Sequence, residues 1–242
     1  MLPELTHEET AVALDEVAAE LLHEAGVTQP PVDAFAVAGA LGITVARDDC
    51  QSGRARYVRL RSYAGDPRAT ILLQSDPRRE RQHWAIAHEI GEHAAWRVFG
   101  RLDVDPREAS PGCRESVANH LAGRLLLPSE WFVSHAAVCD WDLLELKAGF
   151  RTASHELIAR RMLECPPAVI ISICDQGRLS FRRSNVPGRA PPLSDAERAC
   201  WQAVHREARP DEREADGHRV RSWPVHEPQW KREILRTEVP DW

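Results

Sequence analysis

Leu14, Val17, Ala18, Leu21 and Leu22 recur at i, i+3, i+4, i+7 and i+8, the spacing that puts apolar side chains on one stripe of a helix. Gly26 ends that pattern. Asp33 is placed to cap a second short helix through Leu41, and Gly42 supplies the stop before the strand-like Ile43-Thr44-Val45. Tyr57 to Leu60 and Thr70 to Leu73 are rich in β-formers, and the turn-forming SYAGDP between them predicts a hairpin. Asp76-Pro77 opens a long helical stretch, RRERQHWAIAHEIGEHAAWRVF. After the loop DPREASPG a further helix runs from about Arg114 to Leu127. Pro128 terminates it, because proline has no amide to continue the ladder and its ring clashes with the preceding turn.

From Trp141 to Leu163 the pattern predicts two short helices flanking Gly149, and Cys165-Pro166-Pro167 then breaks the chain. AVIISICDQGRLSF reads as a hairpin turned at Asp175-Gln176-Gly177. Ser194 with Glu197 makes a capping box for a helix through Val204. Arg206 to Arg219 alternates charge without periodicity and is expected to be a solvated loop. Trp223, Trp230 and Trp242 give the tail enough aromatic area to dock on a neighbour. Trp84, Trp96 and Trp131 are expected to fill the core or line a groove.

Composition narrows the possibilities. With 43% hydrophobic and 28% charged residues in 242, general disorder is excluded. The longest apolar runs, such as Val169 to Ile173, fall far short of the roughly 20 residues that a membrane span needs. The N-terminus has neither a basic start nor an apolar run, so a cytoplasmic protein without a membrane partner is expected. A formal charge of −6 and a pI near 6.0 weigh against general nucleic-acid binding, which requires a basic face. The segment Asp140 to Cys165 carries five acidic and four basic residues, which suits packing or protein recognition better than DNA. The six cysteines lie nine or more residues apart, so no CxxC pair offers two thiolates to one metal, and they read as reduced thiols.

Chemistry concentrates in His88-Glu89-Ile90-Gly91-Glu92-His93. In an H-E-x-x-H helix, residues i and i+4 share a face and grip one ion while the intervening Glu activates its water. Here position i+4 is Glu92 and the histidine arrives at i+5. At about 100° per residue, Glu92 lies about 40° from His88 and His93 about 140° away. Only Glu92 shares the face, and carboxylate is a competent ligand. His93 instead joins Ile86, Ile90 and Arg97, unless a one-residue π-bulge swings it toward the ion as the alternative to Glu92. In RESVANHLAGRLLLP, Glu115 and Asn119 are i and i+4 on one face. Glu115 could complete the ligand set while Asn119 or His120 orients a ligand from behind. One histidine with two carboxylates suits zinc and would also tolerate Mn or Fe. Glu89 is the candidate general base, and Tyr57 and Tyr63 are candidates for stabilising an oxyanion.

An apolar strand ending in ILLQSD, the RRERQHWAIAHEIGEH helix and ESVANHLAGRLLLP together resemble the ImmA/IrrE family of metallo-endopeptidases, over roughly residues 10–165. The pair LKAGFRTASHELIARRM resembles the short helix-turn-helix-like segment that follows the family's peptidase core. The resemblance implies His88 and Glu115 as metal ligands, Glu89 as general base, and cleavage of a helix-turn-helix transcriptional repressor as the activity. The expected fold is α+β: a minimal zincin-like core with a small twisted sheet over residues 1–135, a helix-turn-helix-like segment over 136–165 and a β-rich, Trp-containing extension over 166–242. The displaced histidine leaves an alternative from another class, a family member whose peptidase site has decayed into a regulatory protein-binding module.

Overall fold

A computed structural model of the chain describes residues 6–51, 53–60, 67–215 and 217–239. Among them are eight helices and two sheets, so the α+β class expected from the sequence is the one found. The chain forms two compact units, Met1–Val138 with Ala148–Ser154, and Cys139–Lys147 with His155–Trp242.

The first unit begins with helix α1 (His7–Glu24), whose N-cap Thr6 forms a reciprocal capping box with Glu9. Its buried stripe is the one the spacing predicts, Leu14, Val17, Ala18, Leu21 and Leu22, and Gly26 closes it at a φ of +67° that only glycine adopts freely. Helix α2 (Ala34–Ala40) is capped by Asp33, whose carboxylate accepts from the amides of Phe35 and Ala36. A three-stranded sheet follows in the order β1-β3-β2. Strand β1 (Thr44–Arg47) runs parallel to β3 (Arg68–Leu73), and β2 (Ala55–Leu60) is its antiparallel partner, as the hairpin pattern predicts. The connecting turn with Tyr63 lies outside the described residues.

Helix α3 (Arg79–Arg101) and helix α4 (Pro111–Leu126) form the centre of this unit. Ile86, Ile90, Val98 and Phe99 of α3 and Ala118, Leu121 and Leu125 of α4 are fully buried. Gly91 sets how close the two helices come. A Cβ on Gly91 would lie 2.6 Å from the Ala118 carbonyl oxygen, inside van der Waals contact, so only glycine permits this approach. Arg97 grips both oxygens of Glu24, and Arg101 reaches Glu16 and Glu20, tying α3 to α1.

One helix has no counterpart in the sequence reading. Helix α5 (Ser129–Val138) starts directly after Pro128, whose carbonyl accepts from the amide of Phe132. The same proline that ends α4 therefore opens α5, since a missing amide is no loss at a helix start.

The second unit contains helices α6 (Leu143–Gly149, whose last two residues belong to the first unit) and α7 (His155–Met162) and a five-stranded antiparallel sheet ordered β5-β4-β8-β7-β6. Strands β4 (Val169–Asp175) and β5 (Arg178–Ser184) meet at Gln176 and Gly177, both with positive φ, the tight hairpin turn that Asp-Gln-Gly encodes. Helix α8 (Asp195–Glu207) has the Ser194/Glu197 capping box and packs Cys200 and Trp201 over Cys174, Val220 and Leu235. The stretch expected as a solvated loop is partly a strand. Strand β6 (Asp211–Ala215) pairs with β7 (His218–Glu227), which in turn pairs with β8 (Trp230–Glu238). As an edge strand exposed along most of its described length, β6 shows no period-two pattern, and its charges are those an edge tolerates. Of the tail tryptophans, Trp223 is buried and donates to Asp142 within its own unit, Trp230 is exposed, and Trp242 lies outside the described residues.

Candidate metal centre

Helix α3 carries His88, Glu89 and Glu92, and α4 carries Glu115 and Asn119. Their meeting point is the close crossing that Gly91 allows. One ligand atom each from His88, Glu92 and Glu115 lies within 4.8 Å of the other two. His88 Nε2 is 3.7 Å from a Glu92 oxygen and 3.7 Å from a Glu115 oxygen, too far for a hydrogen bond. Asn119 fixes the frame: its Nδ2 donates to Glu115 at 3.0 Å, which leaves its Oδ1 to accept from His88 Nδ1 at 3.1 Å. In the neutral ring that proton on Nδ1 leaves a lone pair on Nε2. Three possible ligand atoms therefore converge.

This donor set fits a divalent cation on chemical grounds. One imidazole and two carboxylates match the ligand types of catalytic zinc sites, and the oxygen-rich balance admits Mn or Fe. The two carboxylates are half exposed, with side-chain exposures of 48% and 55%, so an ion would have access.

Glu89 projects elsewhere. It is buried, at 6% exposure, and its Oε2 accepts from the main-chain amide of Tyr57 on β2 at 2.7 Å. Burial pushes its pKa up. The Tyr57 amide opposes that rise, and the charges of Glu92 and Glu115 add to it against His88. The result is a carboxyl held beside the ligand cluster and above its ordinary range, the condition of a group that must both take and give a proton.

Helix α3 runs without a π-turn, and His93 lies apart from the cluster. Its ring packs against Tyr57, with centroids 5.0 Å apart and planes at 30°. Burial lowers its pKa, and Arg59 and Arg97 lower it further. His120 is exposed on α4 and does not join the three ligand atoms. Tyr57 is half-buried and its hydroxyl has no hydrogen-bond partner among the described residues. Its contribution to the site is its amide, a role without a sequence signal because any residue but proline has one. Gly91 did leave a trace, as an isolated glycine inside a helical pattern.

Fold and site together define an α+β domain in which a His-Glu helix and a Glu-bearing helix cross beside a small sheet and bring a possible metal-ligand set together. The chain belongs to the family of IrrE N-terminal-like domains, a peptidase family whose model matches residues 38–162. No curated protein matches it. Among solved structures it is similar to a Mycobacterium tuberculosis transcriptional regulator at a TM-score of 0.62 and 19% identity, over 93% of this chain and 74% of that one. At that identity the likeness is one of fold. Among the described residues no helix is long and apolar enough to cross a membrane.

Proposed function

We propose that this protein is a metal-dependent endopeptidase acting on a protein substrate. The carrying observation is the convergence of His88, Glu92 and Glu115 next to the buried Glu89. The three side chains would hold one divalent ion, zinc first among the candidates, which when bound supplies Lewis acidity to a water and to the scissile carbonyl. Glu89 takes the proton of the attacking water and returns it to the leaving amine, and its raised pKa suits both halves of that task. Asn119 holds the imidazole tautomer and one carboxylate in place.

The substrate we favour is a helix-turn-helix transcriptional repressor in the cytoplasm. Support comes from what the family resemblance implies. Helix α7 favours a protein partner over DNA. Arg161 is buried against Glu164, and Arg160, though half exposed, stacks over Phe181 at 4.2 Å and pairs with Glu156, so both guanidiniums already have protein partners.

Metal content of the purified protein, followed by incubation with candidate repressors with and without chelator, tests the proposal. Chelator-sensitive fragments are expected, and Glu89→Gln should keep the metal while slowing cleavage about 10²–10⁴-fold. A stable uncut complex formed equally by wild type and Glu89→Gln would refute the enzyme and leave a binding module.

A further inference from the structure

Strand β2 ends its sheet, and the register shows which of its groups face outward. The Arg54 carbonyl accepts from the Gln74 amide at 2.9 Å, and the antiparallel pairing continues through Arg56↔Leu72 and Val58↔Thr70. Alternation then turns the main-chain groups of Ala55, Tyr57 and Arg59 away from β3. The Tyr57 amide confirms the direction, since it meets Glu89 on that side. The free edge therefore runs directly past the general base.

That edge is basic. Arg54, Arg56 and Arg59 are all exposed, stand on both sides of Tyr57, and make no ion pair among the described residues. Elsewhere in the same unit Arg97 pairs with Glu24, Arg101 with Glu16 and Glu20, and Arg81 with Asp76, while Arg47, Arg68, Arg79, Arg107 and Arg114 are exposed without an ion pair among the described residues; what sets the β2 arginines apart is their place on the free edge beside Glu89. Three guanidiniums without an ion pair among the described residues thus lie within six residues, in a chain of formal net charge −6. Charge on an edge strand also discourages pairing with a second copy, but that purpose is met by either sign and does not require three cations beside a reactive carboxyl.

We infer that the peptidase site selects an extended, acidic segment of its substrate, laid along β2 with Asp or Glu flanking the bond level with Tyr57. Main-chain groups of Ala55 and Arg59 supply sequence-independent hydrogen bonds, as in strand addition. Arg54 and Arg56 project from one face of the strand and Arg59 from the other, so acidic residues on either face of the bound segment meet a guanidinium. Arg59 shares its face with Tyr57, whose ring packs on His93 of α3 with centroids 5.0 Å apart, which places it on the α3 side. This inference rests on the peptidase reading for its catalytic half but not for its binding half.

Two measurements on the zinc-loaded full chain separate the halves. A proteome-derived peptide library is digested and its cleavage sites read by mass spectrometry. In parallel, Glu89→Gln is titrated with a short fluorescent peptide alternating Glu and Thr and with its Lys-Thr counterpart. Expected are cleavage sites enriched in Asp and Glu around the scissile bond, and about tenfold tighter binding of the acidic peptide at low salt, a gap that narrows as salt rises. The Arg54→Glu/Arg56→Glu double variant, with metal content and circular dichroism unchanged, should cut acidic sites about tenfold more slowly and lose the binding preference. Cleavage without acidic enrichment overturns this inference and leaves the peptidase standing. No cleavage but a tenfold acidic preference in binding overturns the peptidase and leaves the arginine edge. Neither cleavage nor preference overturns both.

Discussion

The two units each bring histidine and glutamate together, with opposite results. In the first, His88 Nε2 stands 3.7 Å from an oxygen of Glu92 and 3.7 Å from an oxygen of Glu115, and the two carboxylates are half exposed. In the second, Glu233 of β8 is wholly buried and saturated. It accepts from Trp201 Nε1 at 3.0 Å, His205 Nδ1 at 2.9 Å and His226 Nε2 at 2.6 Å. Glu197 is equally complete, holding Arg182 with both oxygens and accepting from Thr237 and the Ser194 amide. The difference lies in satisfaction. A carboxylate whose lone pairs are filled by protein donors is part of the scaffold, whereas donors that converge and stop short of one another leave space and charge for a cation. Residue type alone does not separate the two.

The comparison breaks most sharply at the ligands. His88→Ala, Glu92→Ala and Glu115→Ala should each weaken metal retention by more than the roughly 10–100-fold that outer partners are worth. His93→Ala should retain the metal and lose only its packing on Tyr57. Elemental analysis after gel filtration decides, and a metal-free His93→Ala beside a loaded Glu92→Ala would reverse the assignment. Glu92→His, which restores the H-E-x-x-H spacing on the same helix, should keep the site and shift its preference toward zinc.

A smaller effect is expected from the saturated cluster. Glu233→Ala strips three donors of their acceptor, at about 1–3 kcal/mol for each that stays dry. The partly exposed His205 can turn to water, so the loss should sit near the lower end. Urea unfolding should show it with metal content unchanged, and a fall in metal content would mean that the second cluster is not independent of the first.

The smallest expected effect is confined to acid. Burial by itself would raise the Glu197 carboxyl, but the hydrogen bonds from Arg182, Thr237 and the Ser194 amide outweigh it and hold the group below the ordinary glutamate range. A carboxyl depressed in the folded state binds its proton more readily once unfolded. Its contribution is therefore complete above the ordinary range and is lost as pH falls through the lowered value. The melting temperature of wild type should drop across that acid interval, and Glu197→Gln should flatten the drop. An acid limb of equal steepness in the variant would show that other carboxyls carry it.

Much of the local structure was legible. Periodicity located α1, α3 and α4, Asp33 and Ser194 marked the starts of α2 and α8, and Asp-Gln-Gly marked a hairpin, because caps and turns depend on residues a few positions apart. Helix phase also carried part of the site: on an unbroken α3 the residue beside His88 is Glu92, and His93 points elsewhere. Helix α5 and strand β6 escaped, and β7 and β8 were covered only by the coarse expectation of a β-rich extension. Pro128 reads equally as the end of α4 and the start of α5, and β6 at its sheet edge has no inward face to impose a pattern.

What the sequence determined by itself is therefore the set of contacts within a few residues: helix faces, caps, tight turns, and the pairing of His88 with Glu92 on one turn. What only the tertiary structure decided is which distant groups meet and whether they satisfy one another. The 2.6 Å that Gly91 leaves to Ala118 is what brings Glu115 and Asn119 to His88. The amide of Tyr57, which no side chain advertises, is what holds Glu89. Glu233 and Glu115 differ in no property of the residue. One is enclosed by donors and the other is not, and enclosure is set by packing across elements far apart in the chain.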